Sequence, residues 1–563
     1  MSYGPIFDPA DYIRHLEQQT RDQSETIKSL NETIKELRQT VANLQETLDE
    51  LNRKLFGKSS EQTRPEPPGE GTAEGTEAGS GRQEIHVKEH IRNRQPKSSR
   101  DDLYKSLPVR RIDCPAPEDQ KNCPDCNALM EHLGWQFVRE EIRITMAKVE
   151  RIQYFRETLV CPECRNEDDT TIVHSNVPAP LLKHSLASAS IVANVMYDKS
   201  GLYLPFYRQE MDWKQKGVPM PRETLAYWYN RCALDYLSII YDALHTHFLK
   251  REVIHADEVP GQVLHEKDRT PEQKSYFWIY LTGTDGLPGI VLFDYQPGRG
   301  GKYPVAFLKG FSGYLHCDGY SAYGMLTGII LICCLAHCRR KFFEAIPKER
   351  RRHIKLLDPH SEQALPEPAG DIAGREDLLP AEKGVLFCNR LFFMERQYKD
   401  LPPEERKAKR DETEPAVWKE FWTWLDTLEP VGGSKLEKAV KYARNHRESL
   451  MNYLQDGRCE ISNNAAERKA KVYATSRKNF LFHDTEDGAR ATAIVLSIIE
   501  TAKANGLNPF QYLYTLLLFV PGHKDSPAGI EQLMPWSDFV RERCSGQADT
   551  ETYTPENPGK LLV

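Results

Sequence analysis

EVIHADEV (Glu252–Val259) is the stretch that decides the fold, because its apolar, β-branched residues run up to Asp257 just before a Pro260-Gly261 break. Two further strand-like runs follow, YFWIYLTG from Tyr276 and GIVLFDY from Gly289, separated by a Thr284-Asp285-Gly286 turn signal. KYPVAFLKGF (Lys302–Phe311) reads as helix. YLHCDGYSAY (Tyr314–Tyr323) then forms a fourth strand-like run that sets Asp318 before Gly319. If the first and fourth strands are neighbours, the two carboxylates lie side by side at one edge of a sheet. A third acid must come from a later helix. ISNNAAERKAK (Ile461–Lys471) supplies Glu467, with Ser462, Asn463 and Asn464 as N-cap candidates and alanines that favour helix.

Three consecutive strands, a helix and a fourth strand, with acids on the first and fourth, are the start of a ribonuclease-H-like layout. Three converging carboxylates cannot all stay ionised without cations between them. Magnesium or manganese, hard ions that prefer oxygen, would resolve the conflict. A pair of such ions suits in-line attack on a phosphodiester, one activating water or a 3′-hydroxyl and the other stabilising the leaving oxygen. Each acid taken alone also reads as an ordinary loop-edge carboxylate, so the argument rests on the set.

HADEVP, CDGYSAY, CLAHCRRKF (Cys334–Phe342) and NNAAERKAKVYATSRKNFLF (Asn463–Phe482) resemble the motifs of transposases of the insertion sequence 66 family. The usual forms there are close to DETP, DGY.GY, CWAH.RRKF and NNAAER..RP....RKN.LF. The resemblance runs from LFGKSSE (Leu55–Glu61) to the helical C-terminus. It implies a DDE transposase with Asp257, Asp318 and Glu467 as the metal-holding catalytic triad. Such an enzyme nicks the element's ends to free a 3′-hydroxyl and joins that end to target DNA by direct transesterification. The resemblance also implies double-stranded DNA as partner and small accessory proteins. Val259 stands where threonine is usual, Lys471-Val472 where Arg-Pro is, and Cys338 where a small residue is; no acid is lost. Two other classes stay open: a catalytically silent DNA-binding relic, and a metal-dependent nuclease without strand transfer.

The chain has 563 residues, too many for one compact core, and a net charge of −7 that says little about local patches. The polar start and the lack of a bilayer-spanning apolar run point to a soluble intracellular protein free of membrane, and the resemblance implies a bacterial cytoplasm and association with the nucleoid. The 13 cysteines include two CxxC pairs, which suits metal binding in a reducing compartment. The fold class read from all this is multidomain α+β. Residues 9–57 form a coiled coil, with Ile27, Ile34, Val41, Leu48 and Leu55 at a and Leu30, Leu37, Leu44 and Leu51 at d, favouring a parallel homodimer. Residues 58–111 are a disordered, then basic, linker that either tracks phosphates or is simply solvated. Residues 112–176 form a zinc ribbon in which Cys123, Cys126, Cys161 and Cys164 complete a structural tetrahedral shell.

Residues 177–250 read as helical with helix-turn-helix spacing around Gly217. On that reading Arg222, Thr224 and Tyr227 face DNA; a helical bundle is the alternative. Residues 251–342 and 459–520 make the two parts of a ribonuclease-H-like α/β core around an all-helical insertion at 343–458; GARATAIVLSIIETAKANGLNP (Gly488–Pro509) reads as an amphipathic helix, and 521–563 as a polar tail, frayed over roughly its last thirty residues. ILICCLAHCRRKFFEAI is the fifth strand running into a helix, with Cys333 and Cys334 as small buried hydrophobes and His337 placed to orient water or DNA. Arg339, Arg340, Lys341, Arg468, Lys471, Arg477 and Lys478 are the expected nucleic-acid contacts, since bases beside an acidic metal site suit a phosphate backbone.

Overall fold

The computed structural model describes residues 177–351 and 371–546, together with residue 149, stretches 151–155, 158–160 and 172–174, and residue 554. The chain divides into two compact units, Met1–Thr145 and Met146–Val563, and every described residue belongs to the second. The expected coiled coil, the linker and Cys123, Cys126, Cys161 and Cys164 lie outside the described residues. β1 (Thr158–Val160) pairs antiparallel with β2 (Ile172–His174).

Among the described residues, four α-helices precede the sheet: α1 (Ala189–Ser200), α2 (Phe206–Gln215), α3 (Arg222–Cys232) and α4 (Ser238–Phe248), the last two joined by a π-helical turn. Gly217, at φ +78°, makes the bend between α2 and α3. Helical geometry splits the aromatic trio on α3: Trp228 and Tyr229 are core, while Tyr227 is 52% exposed.

The strands are β3 (Val253–Gly261), β4 (Val263–His265), β5 (Ser275–Thr282), β6 (Val291–Gln296), β7 (Gly313–Cys317) and β8 (Ile329–Cys333), with α5 (Lys302–Phe307) between β6 and β7. Five of them form one mixed sheet in the order β6-β5-β3-β7-β8. The β6–β5 and β5–β3 pairings are antiparallel, and the β3–β7 and β7–β8 pairings parallel. β5 is apolar throughout because both its faces are covered. Phe277 and Ile279 enter one core with Tyr473 and Leu496, and Trp278 and Tyr280 enter the other.

β8 runs into α6 (Leu335–Ala345). The insertion then contributes α7 (Pro380–Tyr398), α8 (Pro403–Asp426), α9 (Lys435–Asn445) and α10 (Arg447–Met451). The chain returns through α11 (Asn464–Phe480), β9 (His483–Thr485), α12 (Glu486–Ala504), α13 (Pro509–His523), α14 (Pro527–Gln532) and α15 (Asp538–Cys544), with β9 pairing parallel to β4.

Two expectations change here. Residues up to 546 are not a frayed tail: Leu533, Met534, Val540 and Cys544 are fully buried, and α14 and α15 pack on α13. The polar composition of the stretch hides these few anchors. Nor is α12 amphipathic, for every residue from 491 to 502 is buried. Ser497, Thr501 and the C-cap residue Asn505 face the edge strand β6. Thr501 Oγ1 lies 3.0 Å from both Val291 N and Val291 O, Ser497 Oγ accepts the Phe293 N–H at 2.7 Å, and Asn505 Nδ2 donates to Gly289 O at 2.8 Å. The Tyr241 hydroxyl donates to Phe293 O at 3.0 Å. Four residues of helix rise about 6 Å and two residues of strand about 6.7 Å, so Ser497, Thr501 and Asn505 keep step with Phe293, Val291 and Gly289.

The insertion has a charged centre of its own. Arg410, fully buried, holds Glu395 and donates to the carbonyls of Tyr453, Asp456 and Cys459. Glu414 accepts the Tyr453 hydroxyl on one oxygen, and its other oxygen has no partner. Burial first, then the charge of Glu395, pushes its pKa from 4.5 up to about 9. A folded pKa above the unfolded one means that stability is lost as pH rises across that interval. Glu414→Gln is therefore expected to melt about 2–4 °C above wild type near pH 9 and level with it near pH 5. Melting curves whose separation does not change with pH would refute this.

Candidate active site

Register places the first two acids. In the parallel β3–β7 ladder His255 stands opposite His316, and the pairing ends there. Asp257 and Asp318 each follow two residues later, so they occupy equivalent positions where the two strands part, on chains spaced about 4.8 Å apart. Below them the His255 and His316 rings stack at 4.1 Å. His316 Nε2 accepts the Glu460 N–H at 2.9 Å, and its Nδ1 donates to Ile254 O at 3.1 Å.

Asn463 places the third acid. Expected as a side-chain N-cap, it occupies the N-cap position of α11 but makes no capping bond. Its Nδ2 donates to Ala256 O at 2.7 Å, its Oδ1 lies 3.0 Å from His255 Nδ1, and its backbone N–H meets Cys334 Sγ at 3.1 Å. Cross-chain satisfaction of buried β3 groups outweighs a local cap. The helix start is thereby fixed to β3 one residue before Asp257, and Glu467 follows one turn later.

The electrostatics agree with convergence. Burial chiefly, then the charges of Glu258, Asp318 and Glu467, push the Asp257 carboxyl up to about 7, against the lowering effect of the Glu258 N–H on its Oδ1. Glu258, on the opposite face of β3, is already neutralised: Arg299 binds one oxygen and the Tyr323 hydroxyl the other at 2.8 Å. Asp318 Oδ1 accepts the Tyr320 N–H at 2.8 Å, and its backbone carbonyl accepts the Tyr442 hydroxyl at 2.8 Å. Gly319 follows at φ +82°, where a Cβ would stand 3.0 Å from both His446 Nε2 and Tyr442 Oη. Only glycine suits that conformation and that approach. Tyr442 and His446 belong to the insertion, which thus buttresses the loop of the second acid; no spacing in the sequence signals this.

The predicted basic residues divide. Arg340 is exposed, with Nη2 3.6 Å from Glu467 Oε2. Arg339 turns away and donates to Asn389 Oδ1 on α7 at 2.6 Å, and Lys341 Nζ lies 4.9 Å over the Tyr442 ring. On α11, Arg468, Lys471 and Lys478 share one exposed stripe, spaced as helix neighbours, while Arg477 donates to Pro260 O at 2.8 Å. His337 Nδ1 stands 3.6 Å from Glu467 Oε1, and neither atom has a hydrogen-bond partner although both are buried. Burial, then Arg340, lowers the His337 pKa against the raising effect of Glu467 and Asp318. Of these electrostatically coupled carboxylates, one has its pKa raised chiefly by burial and one has an unsatisfied oxygen, and groups of this kind are ligands for divalent cations.

Residues 184–491 match the model of the Transposase IS66 family, and residues 497–536 the IS66 C-terminal element. Residues 120–165 match the zinc-finger binding domain of transposase IS66, a span that includes all four predicted zinc cysteines and supports a structural zinc. Residues 43–112 match the Transposase C of IS166 homeodomain. The uncharacterized protein y4qI of Sinorhizobium fredii is 31% identical over 385 residues, 65% of each chain, so the match spans just under two thirds of that relative. From the same organism, y4hP is 26% identical over 70% of each chain, and y4jD 25% identical over 77% of this chain and 81% of its own.

Proposed function

Since the chain belongs to the IS66 transposase family, we propose that it is a DDE transposase, cleaving element ends and joining them to target DNA from a ribonuclease-H-like core. The observation that supports this reading is that Asp257 feels the charges of Asp318, on the neighbouring parallel strand, and of Glu467, on a helix pinned to β3. The strand order β6-β5-β3-β7-β8, antiparallel on one side of β3 and parallel on the other, agrees with that core. When bound, two Mg²⁺ or Mn²⁺ ions would activate the attacking oxygen and stabilise the leaving one. The three carboxylates are the residues that would hold them. Arg340, beside Glu467, and the exposed Arg468, Lys471 and Lys478 of α11 would bind DNA phosphates, as would Arg477 and Lys341. Pairing of two chains through the heptads of residues 9–57 would bring two sites to two DNA ends. Among the described residues, no helix is long and apolar enough to cross a membrane.

The test is a joining assay with a pre-cleaved end oligonucleotide, a plasmid and Mg²⁺ or Mn²⁺. Wild type is run beside Asp318→Asn and Glu467→Gln. Joined product that disappears in both variants is the expected result. Joining that survives Glu467→Gln removes the third acid from the site. Wild-type protein that binds end DNA and cuts it but never joins would make this a nuclease.

A further inference from the structure

Glu467 has neighbours that no carboxylate triad requires. Cys334 caps the start of α6 and His337 lies one turn along it. Cys334 Sγ, a ring nitrogen of His337 and a carboxylate oxygen of Glu467 all stand within 4.8 Å of one another. His337 Nδ1 and Glu467 Oε1, 3.6 Å apart, are too far for a hydrogen bond, yet both are shut away from solvent without partners. Leaving two such atoms unsatisfied costs free energy that a bound ion would recover. Two donors bound to one ion at about 2.0–2.3 Å stand roughly 3–4 Å apart, which is the spacing seen here. Nitrogen and sulfur donors are poor ligands for magnesium and good ones for borderline transition ions.

We propose that Cys334, His337 and Glu467 form a binding site for a divalent transition-metal ion of the zinc or cobalt kind. The third acid of the triad then shares its cation with an imidazole and a thiolate, and the site discriminates against magnesium. This rests on the reading of Glu467 as a metal-holding acid. Metal binding displaces the Cys334 thiol proton to solvent, and the backbone N–H of Asn463 already points at that sulfur. His337 is the ligand whose loss weakens the site most, because nothing else on α6 can replace its nitrogen.

The test titrates the full-length chain, its zinc retained, with Co²⁺ and follows the near-ultraviolet band of thiolate bound to Co²⁺. Wild type is expected to gain that band and saturate at one added Co²⁺ per chain. Cys334→Ser is expected to lose the band, His337→Ala to weaken Co²⁺ binding about tenfold or more, and excess Mg²⁺ to displace none of it. Should Cys334→Ser melt early, His337→Gln decides by the same band. A band absent from wild type, or equal in wild type and Cys334→Ser, overturns the proposal. The two readings fail separately. Co²⁺ binding, measured by calorimetry, that disappears in Asp257→Asn and Asp318→Asn but is untouched in His337→Ala and Cys334→Ser keeps the triad and rejects this site.

Discussion

Asp257→Asn is expected to lower strand joining by at least about a thousandfold and, without added divalent ions, to raise the melting temperature by about 2–5 °C at pH 8. The two effects have one cause. The Asp257 carboxyl is buried beside Glu258, Asp318 and Glu467, which lifts its pKa from 3.8 to about 7. With the folded value above the unfolded one, ionising this group costs stability as pH rises through that interval, and the whole cost is present at pH 8. Asparagine keeps the shape and removes the charge. Mn²⁺ should raise the melting temperature of wild type and leave that of the variant unmoved. Joining rates and thermal melts with and without Mn²⁺ check both halves. A variant less stable than wild type in divalent-free buffer would show that Asp257 is not strained by its neighbours. Stability given up at the reacting centre is the usual trade of a site arranged for charge.

Asn463→Ala should reduce joining about a hundredfold, although Asn463 touches no reacting atom. It leaves the Ala256 carbonyl and the His255 ring nitrogen buried without their partners, at a cost of about 2–4 kcal/mol in all, and frees the start of α11 from β3. A displacement of about 1 Å at Glu467 suffices for a loss of that order. Asn463→Asp keeps the acceptor for His255 and loses the donor for Ala256, so it should fall between alanine and wild type in both melting temperature and joining. If Asn463→Ala melts lower but joins as fast as wild type, Asn463 is a structural tie only.

What the sequence made readable followed from how local each signal was. EVIHADEV, YFWIYLTG, GIVLFDY and YLHCDGYSAY each carry their own strand pattern, and they became β3, β5, β6 and β7. A helix between antiparallel and later strands allows β7 to lie parallel to β3, which is why the two aspartates could be paired from spacing alone. Asn463 was misread because a capping asparagine and one that reaches a strand 207 residues away look alike in a linear string. The hold of Tyr442 on the carbonyl of Asp318 spans 124 residues and leaves no periodic trace. α12 was misjudged for a different reason. Its serine and threonines counted as a solvent face, yet they meet backbone groups rather than water.

That last arrangement bears on how such a chain behaves in company. On the proposed reading several copies would gather on a short length of DNA, where a bare outer strand would act as a template and draw copies into an insoluble stack. On β6 the hydroxyls of Thr501, Ser497 and Tyr241 and the amide of Asn505 have taken the backbone positions that an incoming strand would need. Crowding at the element's ends can therefore rise without opening a route to aggregation through that margin.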